Sequence, residues 1–404
     1  ILKLENFLTF KILNYRRYKN SVSSPIIKIS IISIVIAITV INFSLSIGFG
    51  IQNEIKNNFK YISGDYYVTD YKNEVFSTFN PIKFNEIDSS FFQLDSFVNV
   101  YKVIYTPGVI PLDTNFENII FKGIQDKNLD LLHTFIQDKD LNSLGINQII
   151  ISKTLSEKLN LNINDQIKFL FFKDKNSNIP IVRKLQVASI YNSNISEFDS
   201  RVVMGNINQS LSINKWNSGD AGALEIFLKN DNKKNIDSIF NSVPPNYDIQ
   251  KSSERFPDIF NWINLFDTNI YLIIILMIIV GGINMITALL VTVLDKTNFI
   301  ATLKVLGTKN NSVIKIFMLN GFLLILKGLV FGNIISLGLL LIQKYFLIFK
   351  LDPKIYYSDF IPIELDPIKI IVFNLLVILI SMLMLLIPSQ VIIKIKPNSI
   401  LKLS

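Results

Sequence analysis

The chain has 404 residues, half of them hydrophobic, no cysteine, one histidine and a formal net charge of +8. Without cysteine there are no disulfides, no thiol nucleophile and no Cys-ligated metal. The mean hydropathy is +0.39, high for a soluble protein. The charge distribution argues against a nucleic-acid surface, because residues 51–266 hold 22 Lys and Arg against 25 Asp and Glu, so the positive surplus lies beside the apolar runs.

In chain order, residues 1–25 carry Lys3, Lys11, Arg16, Arg17 and Lys19 against Glu5. Leu4, Phe7, Leu8, Ile12 and Tyr15 stand near helical spacing there, which predicts either a helix lying in the cytoplasmic headgroup region or an ordinary short amphipathic helix. Residues 26–50 form the first run long enough to cross about 30 Å of hydrocarbon. That run is longer than a signal-peptide core and lacks a small-x-small cleavage site, so it reads as a retained anchor.

Residues 51–267 are polar and mixed. Strands are expected at 65–70, 98–105, 149–152, 166–172, 183–191, 201–205 and 223–228, and helices near 82–95, 152–160, 206–212 and 232–243. Asn162–Asp165 reads as a turn, and Pro257 suits the first turn of a helix running to about Leu294.

Three further crossings follow at 268–294, 313–342 and 368–393. They are separated by a basic segment at 295–312 and a loop at 343–367, and a tail at 394–404 closes the chain. Lysines beside the ends, and in 295–312, place both termini and that segment in the cytoplasm by the positive-inside rule. The 343–367 loop, with Asp352, Asp359, Glu364 and Asp366, then faces outward. The expected fold is an α-helical membrane protein with four transmembrane helices and a large α+β extracytoplasmic domain inserted between the first two.

Inside the crossings, Gly328 and Gly332 form a GxxxG pair that serves either packing within one chain or a seam with a second copy. Lys327 lies deep in the third crossing, where a charge is costly unless it pairs, snorkels or faces water. The four crossings contain no acid, so Asn333, Asn374 and free carbonyls are its expected partners, in a structural contact or in a moving part. The sequence contains neither a Walker A loop nor HExxH nor GxSxG, and His133 stands alone, so no enzymatic constellation or metal site is expected.

The segment DKTNFIATLKVLGTK, Asp295 to Lys309, is short, amphipathic and tied to a crossing at each end. A membrane subunit pushed by a soluble motor needs such a handle. Ile300, Leu303 and Leu306 are expected to form its buried face, and Lys296, Lys304 and Lys309 to meet acidic groups on a partner, with Gly307 counted in the same coupling segment. A second candidate region is a lateral apolar entry between the first two crossings, lined by Phe43, Ile47 and Phe49 and by Phe260, Ile263 and Phe266. Plain lipid or core packing is the alternative for each of these six.

At residues 295–322 the chain resembles permeases of the FtsX/MacB superfamily of ABC transporters. Ile300-Ala301, Leu303-Lys304 and Gly307-Thr308 fill the family pattern, while Phe299 stands where Glu is frequent and Thr308 where Ala is common. FLTFKILNYRRYKN, IIISKTLSEKLNLNINDQIKFLFF and the tail with Pro388, Pro397 and Leu401 are similar to LolC/LolE-type lipoprotein-releasing permeases. The resemblance implies a bacterial inner-membrane permease whose 295–312 segment docks on an ABC ATPase of the LolD kind. ATP and Mg²⁺ would then be bound by that partner, with no cofactor in this chain. It further implies a second permease copy or a paralogue, a lipoprotein substrate handed to a periplasmic carrier, and contact with membrane lipids. FtsX-type control of cell-wall hydrolases and MacB-type efflux are the alternative functions that the same resemblance allows.

Overall fold

Helix α1 spans Ser23–Ser63 without a break. The computed structural model describes residues 23–83, 87, 97–112, 115–138, 140–172, 179–228, 237, 240–352, 356 and 358–395. The expected helix at the N-terminus lies outside these residues, as do most of the expected helices near 82–95 and 232–243 and the last residues of the tail. After α1 come β1 Tyr66–Asp70, β2 Phe97–Pro111, β3 Phe116–Ile124, α2 Leu129–Leu132, β4 Gln148–Ser152, α3 Lys153–Leu159, β5 Gln166–Phe171, β6 Ile181–Tyr191, α4 Ser196–Asp199, β7 Val202–Asn206, α5 Ile207–Asn214, β8 Ala223–Leu228, β9 Tyr247–Lys251 and α6 Ser252–Arg255. The chain continues with α7 Pro257–Asp295, α8 Thr297–Val305, α9 Asn310–Phe346, α10 Pro367–Met384, α11 Leu386–Ser389 and α12 Val391–Lys394.

The chain divides into two units. One holds residues up to Gln52, Asn264–Lys350 and the chain from Phe360; the other holds Asn53–Ile263 with Leu351–Asp359. Among the described residues, four helical stretches are long and apolar enough to cross a membrane: Pro25–Ser63, Pro257–Asp295, Asn310–Phe346 and Pro367–Lys394. The protein is therefore an α-helical multi-pass chain carrying a large α/β domain between its first and second crossings.

In the helical unit the glycines set how closely the helices approach. A Cβ on Gly328 would lie 2.6 Å from Ile34 Cγ2, and one on Gly332 would lie 2.8 Å from Ile38 Cβ. The GxxxG pair of α9 is thus spent on α1 of the same chain, which decides between the two roles the sequence left open. Gly48 lies against Ile270 and Gly282 against Met384 in the same way. Ile34, Ile38, Ile41, Leu45, Ile274, Met285, Leu289, Phe317 and Leu324 form the buried core between these helices. The run expected as one crossing at 368–393 breaks at Leu385 and Gln390. Pro388 explains this, since its ring displaces the carbonyl four residues earlier and it has no N–H to give. Asp366 caps the start of α10 by accepting from the N–H groups of Ile368 and Lys369.

In the other unit, nine strands among the described residues run in the order β3-β7-β4-β6-β5-β2-β8-β1-β9, with an extra β3–β2 pairing. That pairing closes β3, β7, β4, β6, β5 and β2 into a ring, and β8, β1 and β9 continue from it. β2 makes both arrangements possible through its length: residues up to Val103 pair with β8, and Ile104–Pro111 pair with β3. Phe121, Ile149, Ile151, Phe169, Phe171, Leu185 and Val203 fill the ring. Ser152 ends β4 and caps α3 by accepting from Leu155 N–H. Asn160 and Asn164 take positive φ in the turn to β5, a conformation that asparagine tolerates better than most residues.

The last eleven residues of α1 belong to this unit and stay helical because they are packed. Ile55, Phe59 and Ile62 recur at helical spacing and are essentially unexposed. Phe59 meets Phe198, Phe256 and Phe260 edge-on, with ring centroids 5.7, 4.8 and 5.6 Å away. Gly64 stops the helix at φ +73, where an added Cβ would also press on the Ile226 carbonyl at 3.0 Å. Strands β3 and β9 were not expected from the sequence. β3 buries Ile119, Ile120, Phe121 and Lys122 in succession, so it shows no alternation, and a lysine inside it imitates a surface loop. At the start of the stretch expected to be helical, Ile82 instead bridges Ala221 as extended chain.

Candidate functional site

α8 lies between α7 and α9 and is nine residues long. Ile300 and Ala301 are buried, and Leu303 packs partly against the helical core. Leu306, expected on that buried face, is 75 % exposed, and its neighbour Val305 is 65 % exposed. The reason is local. Leu306 is the C-cap of α8, the next residue, Gly307, takes φ +86, and Thr308 N–H closes back on the Leu303 carbonyl at 3.0 Å. This Schellman-like stop turns the chain before Leu306 can reach the core. An added Cβ at Gly307 would meet nothing within 4 Å, so only its backbone conformation demands glycine.

The three lysines separate into different roles. Lys304 Nζ donates to the carbonyls of Ile392, Ile393 and Ile395, at 2.7, 3.3 and 2.9 Å. It therefore binds the C-terminal end of α12, where a cation suits the helix dipole, and its ammonium is turned into the chain rather than toward a partner's acid. Burial pulls its pKa below the ordinary lysine value. Lys296 pairs with Asp295 at 2.8 Å. Lys309 is exposed at the start of α9. The tip of the segment is thus an apolar pair, Val305 and Leu306, flanked by Gly307 and Lys309. Val305 was not singled out in the sequence, where one more aliphatic in an amphipathic stretch carries no signal.

Lys327 is exposed on α9 and, among the described residues, has no hydrogen-bond or ion-pair partner. Its expected partners are engaged with one another instead. Asn42 Nδ2 donates to Asn333 Oδ1 at 2.9 Å and to Ser336 Oγ at 2.7 Å, and Asn374 Nδ2 donates to Asn333 Oδ1 at 3.2 Å. This knot ties α1, α9 and α10 through side-chain hydrogen bonds, with Asn42 and Ser336 at its buried centre. Asn42 and Ser336 were missed in the sequence, although an Asn amid Ile and Val was a visible signal.

The six residues of the expected lateral entry divide between the two units. Phe43, Ile47 and Phe49 lie on α1 in the helical unit and are half-buried. Phe49 carries the Lys369 ammonium 3.8 Å from its ring centroid. Phe266, on α7, is half-buried in the same unit. Phe260 and Ile263 belong to the α/β unit, where Phe260 packs on Phe59 and Ile263 is fully buried. Each of the six is thus described within its own unit. Between α1 and α7, Gly48 and Ile270 are in close contact. The outward surface of α7 carries Leu272, Ile275, Leu276, Ile279 and Ile283, all largely exposed, which is the surface a helix presents to lipid or to another chain.

Residues 271–397 match the family model described as FtsX-like permease C-terminal. The chain is similar to the lipoprotein-releasing system transmembrane protein LolC of Buchnera aphidicola subsp. Schizaphis graminum, 28 % identical over 387 residues that cover 93 % of each chain. It is also similar to the LolE protein of the same system in Haemophilus influenzae, 23 % identical and covering 69 % of this chain and 71 % of that one. The periplasmic region of MacB from Actinobacillus actinomycetemcomitans aligns with a TM-score of 0.33 and 11 % identity, covering 51 % of this chain and 98 % of that one.

Proposed function

We propose that this FtsX-like permease is the membrane subunit of an ATP-driven transporter that lifts lipoproteins out of the bacterial inner membrane and passes them to a periplasmic carrier. The observation that carries the reading is the exposed Val305–Leu306 tip on a nine-residue helix strung between two crossings. An apolar pair held in water by a glycine stop has no use within the described chain, and it is shaped to seat in a groove of a soluble partner. The partner is an ABC ATPase that binds ATP and Mg²⁺, and α8 carries its closure to α7 and α9. Both termini and α8 face the cytoplasm in this arrangement, and the α/β unit faces the periplasm. A second permease, identical or paralogous, completes the pair that an ATPase dimer would drive.

The energetics require a motor. Exposing acyl chain to water costs about 0.8 kcal/mol per CH₂, so the chains of one lipoprotein come to tens of kcal/mol if fully wetted. Shelter along apolar helix faces lowers that cost, and ATP turnover supplies the remainder. Similarity to LolC and LolE proteins over most of the chain supports this substrate class over control of wall hydrolases or drug efflux.

The test is co-purification of the chain with an ABC ATPase of its own cell, followed by reconstitution with a lipoprotein and its soluble carrier. ATP-dependent transfer of lipoprotein to the carrier is expected. Leu306→Glu should abolish both ATPase association and transfer while leaving the chain folded. ATP-dependent transfer that survives Leu306→Glu would remove α8 from the mechanism, and ATP turnover without lipoprotein transfer would remove the substrate assignment.

A further inference from the structure

Two buried cations and one buried carboxylate meet in the α/β unit, at the place where α1 ends and the chain departs into α7. Lys122 on β3 and Glu225 on β8 are 3 % and 1 % exposed, with Lys122 Nζ 2.8 Å from each carboxylate oxygen. Lys122 also donates to the carbonyl of Ile62, in the last turn of α1. Tyr105 donates its hydroxyl to Glu225 at 2.8 Å. Arg255, in α6 just before α7, is 4 % exposed and lies 3.6 Å over the Tyr67 ring. Its guanidinium donates to Ser63 Oγ, at 3.3 Å, and to the Val75 carbonyl. Ser252 donates its hydroxyl to the Gly64 carbonyl and its N–H to the Asp65 carbonyl. Every one of these residues belongs to the α/β unit.

Burying three charges to hold up a β-sheet makes little sense, because apolar residues of similar volume do so at lower desolvation cost. What ion pairs supply beyond stability is direction and uniqueness: they fix which groups meet and allow no sliding. Here the bound groups are the terminal carbonyl and hydroxyl of one long helix and the lead-in to another. The Lys122 ammonium also sits at the C-terminal end of α1, where the helix dipole favours it. Burial lowers the Lys122 pKa and the Glu225 carboxylate opposes that shift.

We infer that Lys122, Glu225 and Arg255 form a joint that clamps the domain-side ends of α1 and α7 to the sheet, so that the sheet follows any movement of these helices without slack. The inference deepens the proposed transport reading, in which helix movement must reach the outward domain. Lys122 and Arg255 act as positioning residues, the first by holding Ile62 and the second by holding Ser63 next to the start of α7. Glu225 neutralises the Lys122 ammonium and keeps it aimed.

The chain contains no cysteine, so pairs of nitroxide labels can be introduced at will. Labels at the exposed positions Lys56 and Lys184, and separately at Asp258 and Lys184, report the two helix ends against strand β6. The assembled transporter should give narrow distance distributions for both pairs. Glu225→Gln, and the shape-preserving double variant Lys122→Met with Glu225→Gln, should widen the Lys56 pair about twofold. Tyr105→Phe, which removes one hydrogen bond and no charge, should leave it narrow. In reconstituted transporter the double variant should retain ATP hydrolysis while transfer falls about tenfold, the mark of a joint that has gone slack. Should Glu225→Gln fail to fold, the double variant, which removes both members of the Lys122–Glu225 pair and leaves no lysine ammonium buried without its carboxylate, decides the matter. Distributions as narrow as the parent's in the folded double variant would overturn the joint and reduce the pair to domain stability. Absence of transfer in the parent chain would count against the transport reading alone, since the distance widths are read independently of it.

Discussion

Asp199 gives the domain a pH-dependent stability that can be worked through in advance. Its carboxylate is 4 % exposed and accepts from the Ser193 hydroxyl at 2.6 Å and the Ser193 N–H at 3.3 Å. Burial raises its pKa from 3.8 to about 6, although the hydrogen bonds from Ser193 and Asn194 pull the other way. A carboxyl with a raised pKa binds its proton more tightly when folded. The stabilisation from protonation is therefore fully present below the unfolded value of 3.8 and is lost as pH rises through about 6. The difference of about two units corresponds to roughly 3 kcal/mol at most. Both tryptophans, Trp216 and Trp262, lie in the α/β unit, so their fluorescence during urea unfolding of the detergent-solubilised chain reads this unit. Asp199→Asn keeps an acceptor for Ser193 and cannot ionise. It should raise stability near pH 8 by about 1–2 kcal/mol, and the parent should overtake it toward pH 4. Other carboxylates titrate in both proteins, so the difference between the two curves isolates Asp199. A pH-independent difference between parent and variant would refute the reasoning.

Three further outcomes follow from the helical unit and are read in far-UV circular dichroism melts of the solubilised chain. Gly332→Leu should destabilise by about 1–3 kcal/mol by forcing α9 off α1, while Gly338→Ala, whose Cβ meets nothing within 4 Å, should be neutral. Asn42→Leu leaves Asn333 with one interhelical bond fewer and should cost about 1 kcal/mol, the scale of such bonds between membrane helices. Lys304→Met strips the donor from three carbonyls at the end of α12 and should cost about 1–2 kcal/mol, with Lys304→Arg restoring part of it.

Apolar run length, proline and charge sign made the membrane part of the fold legible in the sequence, because each acts locally. Pro257 begins α7 where its ring is tolerated, and the lysine bias follows the run ends. The α/β unit was legible where strands alternate or stand between turn residues, as in Gln148–Phe171. It failed at β3, where pairing on both sides buries four successive residues and the only polar one, Lys122, is satisfied by Glu225 more than a hundred positions away. No local window contains that partner. The edge-on contact of Phe260 with Phe59 is equally beyond any local window, since only the fold brings the two rings together.

The segment Asp295–Lys309 marks the boundary most sharply. A helical wheel places Ile300, Leu303 and Leu306 together, but a wheel assumes that the helix continues. Gly307 ends it, so Leu306 leaves the stripe and joins Val305 in solvent. Charge composition likewise offers three lysines to an acidic partner, yet Lys304 is spent on carbonyls of α12. In the proposed function, recognition by an ATPase would therefore rest mainly on apolar contact, with Lys309 as the exposed cation at its rim. Such a contact weakens little with ionic strength, since salt screens exposed charge pairs and not buried apolar area. Association with the ATPase is accordingly expected to persist near 1 M salt and to be lost in Leu306→Glu at any salt. Dissociation of the parent complex by moderate salt would return the lysines to the centre of the interface.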